Sequence, residues 1–340
     1  MGRILACRIL IGVIWDLFER EATMAIQEDK KKFTFYGEGG TLLGMHFVNL
    51  FLAIITLGIY FFWGRVKIRK YIWGQIEFEG DRLSYHGTGK ETFLGWLKAA
   101  LFFGIPYYFL RYGPRLMGLG LFEIIVGGVL STLFIVVFIP MATVGSRRYR
   151  LSRTAWRGIR FSFRKTWREY VSLFLKGTFL QIVTLGLYSP YYAAQRDKFL
   201  ISNTYVGNRN LDYDGEGKDM FAFFLPCYLL GIFTLGISFL WYQIKKTRYM
   251  WNHTTFGDAR FECTITVGGM LGLYLVNTLL VLFTLGFAFP WAQVRSMNYL
   301  LANLTLNGPA DLGSIEQDAQ TVNATGEELA SFLDLDFDLG

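Results

Sequence analysis

Several polar side chains lie within otherwise apolar segments of this 340-residue sequence. Amide and ionisable groups are costly at membrane depth, so those found there often bind a solute or join helices by hydrogen bonds. Asn49 and Asn277 each stand seven residues before a Thr-Leu-Gly tripeptide. A structural role and a solute path both remain open, and His46, Asn49 and Asn277 are the best candidates for a path. The full set is His46, Asn49, Lys98, Glu123, Lys176, Gln181 and Asn277.

Clusters of basic residues follow the apolar segments and are interleaved with aromatic residues. This mixture beside a membrane span is typical of contact with anionic lipid headgroups, more than of nucleic-acid binding. We therefore expect the lipid bilayer as a partner and no nucleic acid. The headgroup candidates are Arg65, Lys67, Arg69, Lys70, Arg147, Arg148, Arg150, Lys245, Lys246 and Arg248.

Motifs of known enzyme classes are not found in the sequence. Residues 87–90, Gly-Thr-Gly-Lys, are only superficially similar to a phosphate-binding loop, because Ser84 replaces the required first glycine and Glu91 the final Ser or Thr. The three histidines are far apart, and no spacing of His, Cys and carboxylates is typical of a zinc site. We predict no catalytic residues, no metal, no cofactor and no enzymatic activity.

Long apolar runs dominate the chain, which is 52% hydrophobic and only 18% charged. Residues 42–63, 220–244 and 263–294 contain no Asp, Glu, Lys or Arg, and residues 93–110, 116–145 and 170–194 contain one each. About 20 apolar residues span the hydrocarbon of a bilayer. The sequence therefore predicts an all-α membrane protein with about six transmembrane helices.

An internal repeat of about 50 residues organises these segments. Thr-Leu-Gly begins at residues 56, 184, 234 and 284, and an aromatic residue follows each start by fifteen positions. A degenerate copy is centred on Phe134. Alternating apolar and polar residues before the spans, as in residues 83–89 and 211–217, predict short β-hairpins or turns between them.

The repeat leaves the topology open between two alternatives. Single-span copies would place their basic stretches on opposite sides of the membrane. Alternatively, Thr-Leu-Gly marks the break of a re-entrant hairpin, which returns every basic stretch to the same side; we favour this second arrangement. Broken backbone at membrane depth must be buried in protein or line a cavity.

The two ends of the chain differ from the repeats. Residues 1–32 form an extension, either an interfacial helix or an upstream start before Met24. Residues 309–340 carry eight acidic and no basic residues. This composition predicts a mostly disordered tail that solubilises the protein, or that folds onto the basic body or a protein partner.

The combined motifs resemble those of the YjgN-like family of bacterial inner-membrane proteins. The resemblance is carried by residues 35–39 (Phe-Tyr-Gly-Glu-Gly), by residues 56–63 with their basic continuation to Tyr71, and by residues 85–90. It covers residues 33–308 and implies a multi-pass protein of the inner membrane, built around a domain of unknown function. It supplies no substrate. Small-solute or lipid transport is our first hypothesis, and a lipid-binding scaffold that recruits a partner is the alternative.

Overall fold

Helices form most of the described chain. The computed structural model describes residues 30–309, 312, 313, 315 and 316. The predicted extension before Lys30 and the acidic residues after Glu316 lie outside these described residues. The helices are α1 (Gly39–Ile55), α2 (Phe61–Gly74), α3 (Gly89–Ala99), α4 (Ile105–Leu116), α5 (Leu121–Ser152), α6 (Trp167–Val183), α7 (Ser189–Ser202), α8 (Gly217–Phe233), α9 (Ile237–Asn252), α10 (Val267–Phe283) and α11 (Phe289–Ala302).

Short strands separate pairs of helices. They are β1 (Lys30–Phe35), β2 (Ile76–Phe78), β3 (Asp81–Tyr85), β4 (Thr154–Trp156), β5 (Ile159–Phe163), β6 (Thr204–Val206), β7 (Arg209–Tyr213), β8 (Thr254–Phe256), β9 (Ala259–Cys263) and β10 (Leu304–Asn307). A helical hairpin followed by a β-hairpin is thus the recurring unit. The fifth unit is completed by pairing of β10 with β1.

Thr-Leu-Gly forms the turn of four of the helical hairpins. In the first, Leu57 and Gly58 adopt positive φ angles of 52° and 91°, a left-handed conformation that glycine accepts easily and that ends a helix. The Thr56 hydroxyl donates to the Leu52 carbonyl at 2.7 Å and accepts from the Tyr60 amide at 2.9 Å. The threonine hydroxyl therefore links the last turn of α1 to the residue that precedes α2. Thr184, Thr234 and Thr284 make the equivalent pair of hydrogen bonds.

The second helical hairpin is longer and has no Thr-Leu-Gly. Its first arm runs without interruption from Gly89 to Leu116, because a π-helical segment, Ala100–Gly104, joins α3 to α4. A turn containing Gly118, with φ of 67°, leads into the 32-residue α5. Phe134, the centre of the degenerate repeat, lies within α5, where no turn is needed.

The ten strands close into a ring in which every neighbouring pair is antiparallel. Strand β1 completes the ring by pairing with β10 through Lys30–Lys32 and with β2 through Phe33–Phe35. Because alternate residues of a strand point to the same face, one set of apolar residues points into the ring. The helices also form a closed circuit, since each contacts its neighbours in the chain and α11 contacts α1.

Three described residues after β10, Leu312, Ile315 and Glu316, contact one end of the strand ring. Ile315 is buried at 5% exposure, and Leu312 packs against the same apolar core. The Asn208 amide donates to the Glu316 carbonyl at 3.1 Å, which fixes the segment to the turn between β6 and β7. Leu312, Ile315 and Glu316 thus lie at the end of the ring that carries the β-turns.

The predicted fold class is wrong. The chain is not an all-α protein with six spans, since ten strands form a closed ring. Within the described residues, only Gly89–Leu116 and Leu121–Ser152 are long and apolar enough to cross a membrane. The runs at 42–63, 170–194, 220–244 and 263–294 are each divided by a Thr-Leu-Gly turn into two shorter helices. The span count was wrong because this left-handed turn contains neither a charged residue nor a proline. The length of an apolar run therefore does not reveal that the run is divided into two helices.

Candidate functional site: an apolar chamber inside the strand ring

A cavity of about 580 Å³, here called the chamber, lies inside the strand ring and continues along one face of α2. Small-molecule sites usually have volumes of about 300–1,000 Å³ and mostly apolar walls. The described lining consists of Phe33, Arg65, Ile68, Arg69, Ile72, Trp73, Ile76, Phe78, Leu83, Trp156, Phe161, Val206, Leu211, Trp251, Phe256, Phe261, Met297, Leu300, Leu301, Leu304, Leu306, Leu312 and Ile315.

Equivalent positions of the five units build the wall. The longer strands contribute Phe33, Leu83, Phe161, Leu211 and Phe261, and the shorter strands contribute Phe78, Trp156, Val206, Phe256 and Leu306. The aromatic members contact one another: the rings of Phe33 and Phe78 stack with centroids 4.4 Å apart. Val206 is the smallest of these ten wall residues.

Two arginines on α2 are the charged side chains among the described lining residues. Arg69 donates to the Tyr85 hydroxyl at 3.2 Å, and its guanidinium carbon lies 5.4 Å from the centroid of that ring. The guanidinium of Arg65 lies 4.4 Å from the centroid of the Phe61 ring. An apolar cavity with cationic groups on one wall is suited to an amphiphile that has a hydrocarbon part and an anionic end.

The segment after β10 forms the floor of the chamber. Leu312 and Ile315 are lining residues, so two side chains from beyond β10 occupy the end of the ring. Gly207, in the turn beneath, has a φ of 58°, and a Cβ atom there would overlap the Glu316 carbonyl. Glycine at this turn therefore permits the close approach of the segment.

Asn49 and Asn277 lie between the two helices of their hairpins, away from the chamber. The Asn49 side chain donates to the Gly64 carbonyl at 3.1 Å, and Asn277 donates to the Ala292 carbonyl at 3.2 Å. Both are 8% exposed. Each asparagine thus joins the first helix of its hairpin to the second, and the two are not brought together in one site.

The other polar candidates are dispersed. The His46 ring packs edge-on against Phe289 of the last helix, with centroids 6.1 Å apart. Glu123 lies exposed in the first turn of α5, near the tip of the long hairpin. Lys98 is partly buried in α3, Lys176 is exposed on α6, and Gln181 lies partly buried one turn further on. None of these five lines the chamber.

The basic candidates divide into outward-facing and inward-facing groups. Lys67, Lys70, Arg150 and Arg248 are exposed. Lys245 lies 3.8 Å from the centroid of the Trp241 ring, and Arg148 donates to the Lys165 carbonyl at 2.8 Å. By contrast, Arg65 and Arg69 reach the chamber, whereas Arg147 and Lys246 turn toward neighbouring units.

Sequence reasoning named Arg65 and Arg69 but missed the apolar residues of the chamber. The signal was present in pairs such as Phe33 and Phe35 or Leu83 and Tyr85, where two apolar residues flank a polar one. We assigned these pairs to isolated hairpins. In the ring, the first member of each pair lines the chamber, and the second lies buried where the strand meets the helices.

A model of a protein family, described as a bacterial protein of unknown function (DUF898), matches residues 30–240 and 221–332. Together the matches cover most of the chain. The chain belongs to this family. The predicted resemblance to YjgN-like proteins is thereby confirmed, and similar proteins of known sequence bear that name.

Inner membrane protein YjgN of Escherichia coli K12 is 37% identical over 131 residues, which are 38% of this chain and 30% of that protein. The protein of the same name from Salmonella typhimurium is 27% identical over 135 residues, or 40% of this chain and 32% of that protein. The alignments thus span about a third of the length of these curated relatives. No solved structure matches the chain.

Proposed function

We propose that this protein resides in the bacterial inner membrane and binds the hydrocarbon chain of a lipid, or of a similar amphiphile, in the chamber. The observation that carries the proposal is a cavity of about 580 Å³ whose wall is apolar except for Arg65 and Arg69. The apolar rings would enclose a hydrocarbon chain, because transfer of apolar surface out of water is favourable. The two guanidinium groups would pair with an anionic headgroup.

The outer surface of the helical hairpins supports residence in a membrane. At the tips of the four short hairpins, Leu57, Leu185, Leu235 and Leu285 are 80–94% exposed. Bulky side chains such as Phe51, Ile54 and Phe283 continue this apolar surface along the helices. Exposed apolar surface of this extent is typical of contact with lipid, and the relatives are named as inner membrane proteins.

Helix length suggests how the hairpins sit in the bilayer. A 17-residue helix such as α1 is about 25 Å long, less than the roughly 30 Å of a hydrocarbon core. The first arm of the second hairpin has 28 residues and a length of about 42 Å, enough to cross. We therefore infer one crossing hairpin and four re-entrant hairpins, with the strand ring on the cytoplasmic side, where basic residues are favoured.

The placement of the asparagines favours lipid binding over a path for a polar solute. A solute path needs polar groups that converge on a common passage. Asn49 and Asn277 instead donate to backbone carbonyls within separate hairpins. The chamber, where equivalent residues of all five units do converge, is apolar.

Substitutions that fill the chamber test the proposal. Val206→Trp replaces the smallest side chain of the strand wall by a large ring that fills part of the chamber. It should strongly reduce the lipid that remains bound when the protein is released from nanodiscs in native mass spectrometry. Tyr205→Trp is the matched control, because Tyr205 points out of the same strand and stacks beneath Arg164, whose guanidinium lies 4.0 Å from the ring centroid. This variant should retain lipid as the wild type does.

Two outcomes would refute lipid binding in the chamber. If the wild-type protein leaves the nanodisc without a bound amphiphile, the chamber has no such ligand. Equal retention by Val206→Trp and the wild type would place the lipid elsewhere. Circular dichroism and a thermal melt of both variants verify that the ring still folds.

A further inference from the structure

Three cationic side chains surround one buried carboxylate where α5, α7 and α9 approach the strand ring. Asp197 of α7 is 5% exposed. Its Oδ1 accepts from Arg196 Nη2 at 2.9 Å, and its Oδ2 lies 4.0 Å from Lys246 Nζ of α9. Arg147 of α5 is near enough to interact electrostatically with both Asp197 and Arg196. We call Arg147, Arg196, Asp197 and Lys246 the charge cluster.

The hydrogen bonding of the cluster is incomplete within the described part of the chain. Arg147 donates from Nη2 to the Thr204 hydroxyl at 3.1 Å, but its buried Nε finds no partner. The buried Oδ2 of Asp197 accepts no hydrogen bond. Nearby, the Tyr213 side chain is 1% exposed and its hydroxyl is also without a partner. Buried polar groups are normally satisfied, so these orphaned atoms require an explanation.

Charge in the cluster is unbalanced. Three side chains carry a positive charge and one carries a negative charge, whereas buried charges are normally paired. Two of the cationic side chains can be reached from the protein surface, because Arg196 is 37% exposed and Lys246 is 15% exposed. An additional anion would neutralise the excess charge and supply acceptors for Arg147 Nε and the Tyr213 hydroxyl, whereas Asp197 Oδ2, itself an acceptor, faces Lys246.

The repeat shows that the fold itself does not require these charges. The positions equivalent to Arg147 and Asp197 in the other units are Arg69, Thr247 and Met297, and those equivalent to Arg196 and Lys246 are Ile68, Ser146 and Ser296. The fifth unit therefore builds the same joint between helix and strand without any charge. The charges of the second, third and fourth units are therefore not a general requirement of the repeat.

We propose that the charge cluster binds a phosphate-type oxyanion, carried by a lipid headgroup or free in solution. Arginine and lysine are the usual ligands of such anions, and the guanidinium groups offer two parallel N–H donors. None of the four cluster residues lines the chamber. The proposal therefore stands or fails independently of a ligand in the chamber.

Binding assays on the full-length protein test the site. Inorganic phosphate binding is measured by titration calorimetry in neutral detergent, and retention of phosphatidylglycerol over phosphatidylcholine by native mass spectrometry from mixed nanodiscs. Lys246→Met should weaken binding of the bound probe by about tenfold, because one charge-assisted contact is lost. Lys198→Met is the matched control, since Lys198 is the residue after Asp197 on α7 and is exposed; it should bind as the wild type does.

Asp197→Asn keeps the test decisive if the methionine variant folds poorly. Removing the negative charge should strengthen anion binding several-fold, whereas a purely structural ion pair predicts a lower melting temperature and no gain in affinity. Binding of both probes or of phosphate alone supports a general oxyanion site, and binding of phosphatidylglycerol alone supports a headgroup site. The proposal is overturned if neither probe binds, if Lys198→Met and Lys246→Met weaken binding equally, or if Asp197→Asn binds no more tightly.

Discussion

At the scale of single residues, the helical hairpins depend on one packed pair that changes its chemistry from unit to unit. The position seven before each Thr-Leu-Gly contacts the position eight after its start. The pairs are Asn49 with Gly64, Gly177 with Tyr192, Cys227 with Tyr242, and Asn277 with Ala292. Two pairs place an amide against a small residue, and two place a small residue against a tyrosine. Close approach of the two helices requires one small partner in each pair.

The tightest of these pairs provides a stability prediction. A Cβ atom at Gly177 would lie 2.0 Å from Cδ2 of Tyr192, so Gly177→Ala forces the helices apart. We expect a loss of about 1–3 kcal/mol in the free energy of unfolding, as is usual for overpacking, measured by thermal or denaturant unfolding in detergent. Gly44→Ala is the control: a Cβ there has no neighbour within 4 Å. It should leave stability unchanged or raise it, since alanine favours a helix. Equal effects would contradict the pairing.

Some of these single-residue features were predictable from the residue types in the sequence. The shared position of Asn49 and Asn277 was recognisable, but their partners were not, because the sequence places the second helix in the same apolar run as the first. The inward-facing Phe33, Leu83 and Phe261 lie in segments where apolar and polar residues alternate. No local sequence pattern indicated that these three residues face a common chamber.

At the scale of elements, the seam between β1, β10 and β9 closes the strand ring. Glu262 on β9 accepts from Asn307 Nδ2 at 2.6 Å and from Lys30 Nζ at 3.2 Å. These hydrogen bonds, first that from Asn307 and then that from Lys30, lower the pKa of the Glu262 carboxyl. The side chain is 43% exposed, so solvent weakens the interaction. The seam thus joins the first and last strands, a pairing between distant segments that no local pattern in the sequence predicts.

The seam predicts a pH dependence of stability. Because the folded-state pKa of Glu262 is lowered, its stabilising contribution is complete above the unfolded-state pKa of about 4.3 and is lost as the pH falls through the folded-state pKa. Glu262→Gln should therefore melt below the wild type at neutral pH, and the difference should shrink below about pH 4. Melting curves between pH 3 and 7 measure this. A difference that is constant with pH would exclude a role for the charge.

At the scale of the whole molecule, five units form a closed ring of strands and a closed circuit of helices. Within the described residues, only the hairpin of Gly89–Leu116 and Leu121–Ser152 is long enough to cross a bilayer. The apolar runs correctly located the helical hairpins, but their lengths led to too high a predicted number of transmembrane helices. The left-handed Leu57 and Gly58 reverse the chain inside an apolar run, and such a reversal is invisible to hydropathy. The closed ring depends on pairing between β1 and β10, which only the folded chain brings together.

Cysteine accessibility tests the proposed arrangement in the membrane. In a protein whose native cysteines are replaced by alanine, Asn210→Cys on β7 should react with a membrane-impermeant maleimide only in inside-out vesicles. Leu119→Cys, in the turn of the long hairpin, should react only in spheroplasts. Leu57→Cys, at a short tip, should react in neither, because that tip ends inside the hydrocarbon. Labelling of Leu57→Cys in spheroplasts would mean that the short hairpins cross completely.

The central claim, that the strand ring holds a hydrocarbon chain, is tested most directly by electron cryo-microscopy of the protein in nanodiscs of native lipid. We predict elongated density inside the ring, in contact with Phe33, Val206 and Phe261, with its polar end toward Arg65 and Arg69. A chamber that is empty or filled by protein side chains in a well-resolved map, with lipid density confined to the outer surface, would contradict the claim.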